Sequence, residues 1–306
     1  MAAKPMLVAG HANPDLAQEV GSYLGLPLAA TKIERFPDRE VHVELIESPR
    51  GRDVFVLQPT SPPPDDHLFE LLALADAARR GGAAQVTAVM PYFGYARQDR
   101  RTSGFEAIGA RLVADVLVAA GLQRLVALDL HSDAIEGFFT IPVQRLTAVP
   151  VLAEAIRRVL PENGIVVSPD LGAAKLADTY ARILNLPVAV VHKLRSGPEA
   201  VTATRVTGDV RGRAPIIVDD MISTGVTIEA AAAAVADAGA DNQHLVVAAT
   251  HGLFVGACPE RLGALGIQHL FVANSVDVGV VFGLAVEKVS IAPVLANAIR
   301  SLEEEP

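Results

Sequence analysis

Residues 215–227 read Pro-Ile-Ile-Val-Asp-Asp-Met-Ile-Ser-Thr-Gly-Val-Thr. The β-branched run Ile216, Ile217, Val218 contains no polar residue. A continuous apolar run of this kind suits a strand covered on both faces, the normal condition of a parallel sheet. Two acids, Asp219 and Asp220, end it, and five residues, 221–225, lead into an alanine-rich stretch over 226–239. Alanine is the strongest helix former, so strand, turn and helix follow in that order.

The same alternation extends in both directions. Strand patterns fall at 6–9, 53–58, 85–90, 124–129, 164–168, 187–192, 215–219, 244–249 and 268–272, with helix patterns near 14–24, 66–80, 105–120, 149–160, 171–184, 226–239 and 290–303. Alternating strands and helices define a parallel α/β fold. Nine strands exceed one small open sheet, so we expect two doubly wound parallel-sheet domains; an eight-fold barrel is the alternative. The proline-punctuated stretch 139–150 separates two strand–helix series, giving domains at residues 1–147 and 148–306. The last helix, 290–303, is a candidate to pack back onto the first domain. Segment 36–47 alternates through Val41, Val43 and Leu45 and reads as a hairpin arm.

Composition narrows the function classes. The chain has 306 residues, 51% of them hydrophobic, which suffices for a large core. Its 26 basic and 35 acidic residues give a net charge of −9, the wrong sign for a general nucleic-acid binder. A single cysteine, Cys258, rules out an internal disulfide framework and fits a cytoplasmic location. No apolar run approaches the roughly 18 residues of a spanning helix, so no membrane partner is expected.

Ser223, Thr224, Gly225, Val226 and Thr227 form a small, donor-rich turn at a helix start, where backbone N–H groups and the helix dipole favour a phosphate. Carboxylates such as Asp219 and Asp220 accept hydrogen bonds from sugar hydroxyls. Together these features suit a ribose phosphate; an ordinary strand-to-helix turn with a Ser or Thr cap is the plainer alternative. In residues 91–100, Pro-Tyr-Phe-Gly-Tyr-Ala-Arg-Gln-Asp-Arg, the residues Arg97 and Arg100 supply bidentate donors for phosphate. Gln98 and Asp99 can read an adenine edge. Phe36 can stack on a base while Asp38 and Glu40 accept hydrogen bonds. Lys193 and Arg195 precede a Gly-Pro loop, and two cations there suit charge developing in phosphoryl transfer. His131 and Asp170 each follow a strand end.

These segments together resemble the ribose-phosphate diphosphokinase (phosphoribosyl diphosphate synthase) family. The block 215–227 resembles the phosphoribosyl diphosphate loop of type I phosphoribosyltransferases as well, but the ten-residue match at 91–100 is specific to the synthases. Leu-Asp-Leu-His at 128–131, Val-Ser-Pro-Asp at 167–170 and Thr-His-Gly at 250–252 match in register. The resemblance implies two domains of type I phosphoribosyltransferase-like fold. It also implies Mg2+ held by His131 and Asp170, and ATP bound by Phe36, Asp38, Arg39, Glu40, Arg97, Gln98, Asp99 and Arg100. It assigns ribose 5-phosphate to Asp219, Asp220, Ser223, Thr224, Gly225, Val226 and Thr227, and catalysis to Lys193 and Arg195. In the family the hairpin arm reaches a neighbouring subunit's site, which implies a homo-oligomer. A regulatory paralogue and a nucleobase phosphoribosyltransferase are the competing readings. The chain departs from the family at Arg39, where a glycine is usual, at Ser223 and Val226 in the phosphate loop, and in a shortened segment at 101–108. The last resembles archaeal-type variants, so allosteric control does not carry over.

Overall fold

The computed structural model describes residues 4–194, 203–281 and 283–304. The chain forms two compact units, one of residues 1–147 with 275–277 and 291–306, the other of residues 148–274 with 278–290.

The first unit runs β1 (Met6–Ala9), α1 (Pro14–Leu24), β2 (Thr31–Arg35), β3 (Val41–Leu45), β4 (Asp53–Leu57), α2 (Pro64–Arg80), β5 (Gln85–Met90), α3 (Gly109–Ala119), β6 (Arg124–Leu128) and β7 (Val143–Leu146). Local signals explain the elements. Asn13 caps α1 by accepting the Leu16 N–H at 3.1 Å, Pro14 occupies the first helical turn, and Gly25 ends the helix at φ +67°. Strands β1, β4, β5, β6 and β7 pair in that order as a parallel sheet. Leu71, Leu74, Ala75 and Ala78 recur at helical spacing on α2 and are buried against Val54, Val56, Val86 and Ala88 in one core. The arm is a separate antiparallel ladder of β2 and β3. Its first strand, Thr-Lys-Ile-Glu-Arg, carries three charges that hide it from a hydrophobicity pattern.

The second unit runs α4 (Val149–Arg157), β8 (Gly164–Ser168), α5 (Ala174–Leu184), β9 (Val188–Leu194), β10 (Ala203–Thr207), β11 (Ala214–Ile222), α6 (Val226–Asp237), β12 (Val246–Gly252), α7 (Cys258–Gly263), β13 (His269–Ala273) and β14 (Val286–Val289). Its sheet has the order β10-β9-β8-β11-β12-β13-β14, parallel except for the β9–β10 pair. The final helix, α8 (Ala292–Glu304), belongs to the first unit; it packs along α1, and the Arg300 guanidinium donates to the Tyr23 carbonyl.

Two open sheets with free edges exclude a closed barrel. The described residues hold fourteen strands against the nine read from sequence. Besides the arm's ladder, the unanticipated ones, β7, β10 and β14, are all at sheet edges. An edge strand is half solvated, so Val-Gln-Arg-Leu or Val-Glu-Lys-Val serves there without a continuous apolar run.

Candidate active site

Within the second sheet the chain leaves β8 first toward β9 and β10, then returns to β8's other side and continues through β11 to β14. The reversal point lies between β8 and β11. In open α/β sheets a ligand crevice forms outside the carboxyl ends of the strands at such a point. Here those two ends carry Asp170 and the pair Asp219 and Asp220. Burial, reinforced by the charges of Asp220 and Asp170, pushes the Asp219 carboxyl well above the ordinary aspartate range. Asp219 Oδ1 also accepts the Asp220 backbone N–H at 3.0 Å. Asp170 Oδ1 accepts the N–H groups of Gly172 at 2.9 Å and Ala173 at 3.1 Å, so the same acid shapes the turn into α5.

The turn after β11 is shorter than the sequence suggests. Met221 and Ile222 stay in the strand because β12 continues beside them, pairing Met221 with His251 and Ile222 with Gly252. Ser223, Thr224 and Gly225 make the turn, and Val226 and Thr227 begin the 12-residue helix α6. Gly225 is the N-cap at φ +77°, a conformation that L side chains rarely adopt. A Cβ there would also sit 3.1 Å from Cys258 Sγ and 3.2 Å from Leu262 Cδ2. The loop therefore rests on α7. From that helix Arg261 Nη1 donates to the Thr224 carbonyl at 2.5 Å, and its Nε donates to Glu229 Oε2 at 2.7 Å. Thr224 and Val226 are exposed and Thr227 half-buried, so the loop presents a polar surface above an apolar floor.

In the first unit, β5 and β6 are parallel neighbours, so the segments following them emerge at one sheet edge. Residues 91–100 follow β5, with Arg97, Gln98 and Arg100 exposed and Asp99 half-buried. Thr60 anchors the segment: Gly94 N–H donates to Thr60 Oγ1 at 2.6 Å, and Thr60 N–H donates to the Tyr92 carbonyl at 2.9 Å. Gly94 admits this approach because a Cβ would lie 2.6 Å from the Thr60 carbonyl oxygen. The Tyr95 hydroxyl donates to Asp65. His131 follows β6 and is exposed, while Asp129 holds a left-handed φ of +39°. Strained non-glycine backbone of this kind clusters at functional sites. The segment 101–108 closes on itself: N–H groups and hydroxyls of Thr102 and Ser103 bind the Glu106 carboxylate, led by the Thr102 N–H, and hold it down to about 2.

The hairpin tip is ordered by its own residues. Asp38 Oδ1 accepts the Glu40 N–H at 3.1 Å, and Phe36 N–H donates to the Glu40 carbonyl at 2.9 Å. Arg39 stands at φ +74°, where the usual glycine would carry no strain. The Phe36 ring is half exposed and tilts against His42 at 5.8 Å. Arg35 and Arg39 reach Asp66 of α2 at 3.5 and 4.0 Å.

Lys193 lies on β9, and Arg195 with the Gly-Pro stretch lies outside the described residues. One residue earlier, His192 Nε2 is buried and has no hydrogen-bond partner among the described residues. Thr60, His192 and Arg261 escaped the sequence reading. Thr60 is 34 residues from Gly94 and Arg261 is 37 from Thr224, and no local pattern marks such pairs.

A seven-stranded sheet whose reversal point carries three acids, followed by a hydroxyl-rich turn at a helix start, is the frame of a phosphoribosyltransferase-type domain. Residues 147–253 match the family model described as the phosphoribosyl transferase domain, and residues 5–121 match the N-terminal domain of ribose phosphate pyrophosphokinase. The chain is 42% identical over 302 residues to the ribose-phosphate pyrophosphokinase of Parasynechococcus marenigrum, covering 98% of this chain and 91% of that one. It is 42% identical over 299 residues to the Aquifex aeolicus protein of that name, covering 97% and 96%. The phosphoribosylpyrophosphate synthetase structure from Mycobacterium smegmatis superimposes with a TM-score of 0.92 at 40% identity, covering 99% of each chain. The chain belongs to the ribose-phosphate pyrophosphokinase family, transferases of the diphosphokinase kind.

Proposed function

We propose that this protein transfers the diphosphoryl group of ATP to the 1-hydroxyl of ribose 5-phosphate, giving phosphoribosyl diphosphate and AMP. The observation that carries the reading is the meeting of Asp170, Asp219 and Asp220 at the reversal point of the second sheet, with the turn 223–227 directly after.

Backbone N–H groups of Ser223, Thr224, Gly225, Val226 and Thr227, the hydroxyls of Ser223, Thr224 and Thr227, and the α6 dipole hold the 5-phosphate. Asp219 and Asp220 accept hydrogen bonds from the ribose hydroxyls and orient the sugar. Arg97, Gln98, Asp99 and Arg100 bind ATP, while Phe36, Asp38, Arg39 and Glu40 on the arm meet the adenine of a neighbouring subunit in a homo-oligomer. Lys193 and Arg195 neutralise charge on the transferring group. The anomeric oxygen attacks the β-phosphorus, the bond from that phosphorus to the α-phosphate oxygen breaks, and AMP leaves with that oxygen. Positioning and charge neutralisation supply most of the acceleration in such transfers.

Among the described residues, no three His, Cys, Asp or Glu side chains form a ready metal cage. Mg2+ needs none, because it binds through one or two carboxylates, waters and substrate phosphates. Asp219 is pushed up by burial and by two acidic neighbours, so a hard divalent cation relieves a real electrostatic cost there. Asp170, Asp219 and Asp220 suit it by donor type, and the family resemblance pairs Asp170 with His131 as ligands. When bound, the ion offsets charge on the phosphate oxygens. No helix among the described residues is long and apolar enough to cross a membrane. The single cysteine, Cys258, supports a reducing cytoplasm as the enzyme's location.

The test is direct. Incubation with ATP, Mg2+ and ribose 5-phosphate should release AMP and phosphoribosyl diphosphate in equal amounts. Folded protein that releases no AMP sinks the proposal.

A further inference from the structure

The phosphate turn does not stand alone. Its one glycine is fitted against Cys258 and Leu262, and its carbonyl at Thr224 is gripped by Arg261, all three on α7. We infer that Arg261 is a positioning residue for ribose 5-phosphate, acting through the 223–227 turn without touching the sugar phosphate itself. The inference rests on the assignment of that turn to the 5-phosphate.

Two physical effects converge on this side chain. The first is geometric. A trans peptide is planar, so its carbonyl and the next N–H point in opposite directions. Arg261 Nη1 holds the Thr224 carbonyl at 2.5 Å on the α7 side. The Gly225 N–H is thereby fixed pointing away from α7, where the turn opens. Without that anchor, Gly225 at φ +77° sits in a peptide free to rotate, because glycine imposes little preference of its own.

The second effect is electrostatic. Glu229 lies in the first turn of α6, its N–H bonded to the Gly225 carbonyl at 2.9 Å. A carboxylate near a helix start is favourable in an empty protein, but it opposes a phosphate arriving at the same helix end. Arg261 Nε holds Glu229 Oε2 at 2.7 Å and neutralises it. With side-chain exposures of 26% and 48%, this pair is wet enough to contribute little to stability as an ion pair. Its consequence lies in what the incoming phosphate meets.

The two effects separate by mutation. Arg261→Ala should raise KM for ribose 5-phosphate by roughly tenfold or more, the scale of a charge-assisted hydrogen bond lost, with KM for ATP within about twofold. Arg261→Lys keeps the charge but not the two-point grip, and should fall between. Glu229→Gln should leave KM for ribose 5-phosphate unchanged or lower it, and added to Arg261→Ala it should recover part of the loss. An unchanged ribose 5-phosphate KM in folded Arg261→Ala, or equal rises in both substrates' KM, overturns the inference. If Arg261→Ala does not fold, Arg261→Lys carries the same comparison, and an unchanged KM there overturns it. Thr227→Ala is the control on the underlying assignment. If it fails to raise KM for ribose 5-phosphate, the turn is not the phosphate site; if it raises KM while the Arg261 variants do not, only the brace is wrong.

Discussion

The two units use one construction with different outcomes at the sheet's carboxyl edge. In the first, β1, β4, β5, β6 and β7 follow one another in chain order, and only a single bridge from Leu28 to Leu7 lies on the far side of β1, so the turn back there involves no full strand. In the second, the chain doubles back around β8, and the reversal draws Asp170, Asp219 and Asp220 together. The first unit stabilises its edge by neutral and paired contacts: Thr60 tied to residues 92 and 94, Gln58 bonded to the buried Glu70 at 3.0 Å, Tyr95 bonded to Asp65. The second leaves like charges crowded together, which disfavours the empty protein and favours a cationic or hydroxyl-bearing ligand. Left-handed non-glycine backbone occurs in both units, at Arg39, Tyr95 and Asp129 in the first and at Asn185 and Phe254 in the second, while the turn 223–225 itself uses glycine at Gly225.

The sharpest way to break this contrast is Lys193→Ala. If the second unit carries the chemistry, kcat should fall by roughly 10²–10³-fold with the fold retained, measured as AMP release alongside a melting curve. A near-normal rate would remove catalysis from β9. Asp219→Asn tests the crowding. The carboxyl is raised in the folded protein, so the folded state binds more protons than the unfolded one across the window above the ordinary aspartate range. Stability from this group is greatest at low pH and declines as pH rises through that window. Near neutrality Asp219→Asn should therefore raise the melting temperature by a few degrees while activity collapses. Mg2+ should stabilise the unmodified protein more than the variant. A melting temperature lowered by the substitution would contradict the electrostatic account.

Gly225→Ala should destabilise by about 1–2 kcal/mol in denaturant titrations, from a left-handed φ and contact with α7. Cys258 lies beneath the same turn, and burial pushes its thiol up to about 11. Its alkylation at pH 8 should be slow and should accelerate when the turn is loosened by that substitution; equal rates would mean the turn does not cover it. The smallest effect belongs to the first unit. Arg39→Gly should change stability by less than about 1 kcal/mol, in the stabilising direction, since the strain relieved exceeds a weak ion pair at 4.0 Å.

Much of this was legible in the chain. The apolar runs of β4, β5, β8 and β11 announced buried parallel strands, and the Asp-Asp pair before Ser-Thr-Gly marked where strand gives way to turn and helix. Arg39 stood out as a poor residue for its turn, and its φ of +74° gives the reason. The edge strands were hidden because half-solvated strands need no apolar run. Thr60, Arg261 and the crowding of Asp170 against Asp219 were hidden because they join residues dozens of positions apart. Sequence alone determined the buried strands, the longer helices and which short stretches carry charge and hydroxyls, since periodicity and turn chemistry act within a few residues. The order of strands decided the rest. Only the reversal around β8 sets three acids at one edge, and only the seating of α7 against Gly225 lets Arg261 grip the turn, because both depend on how separate elements pack.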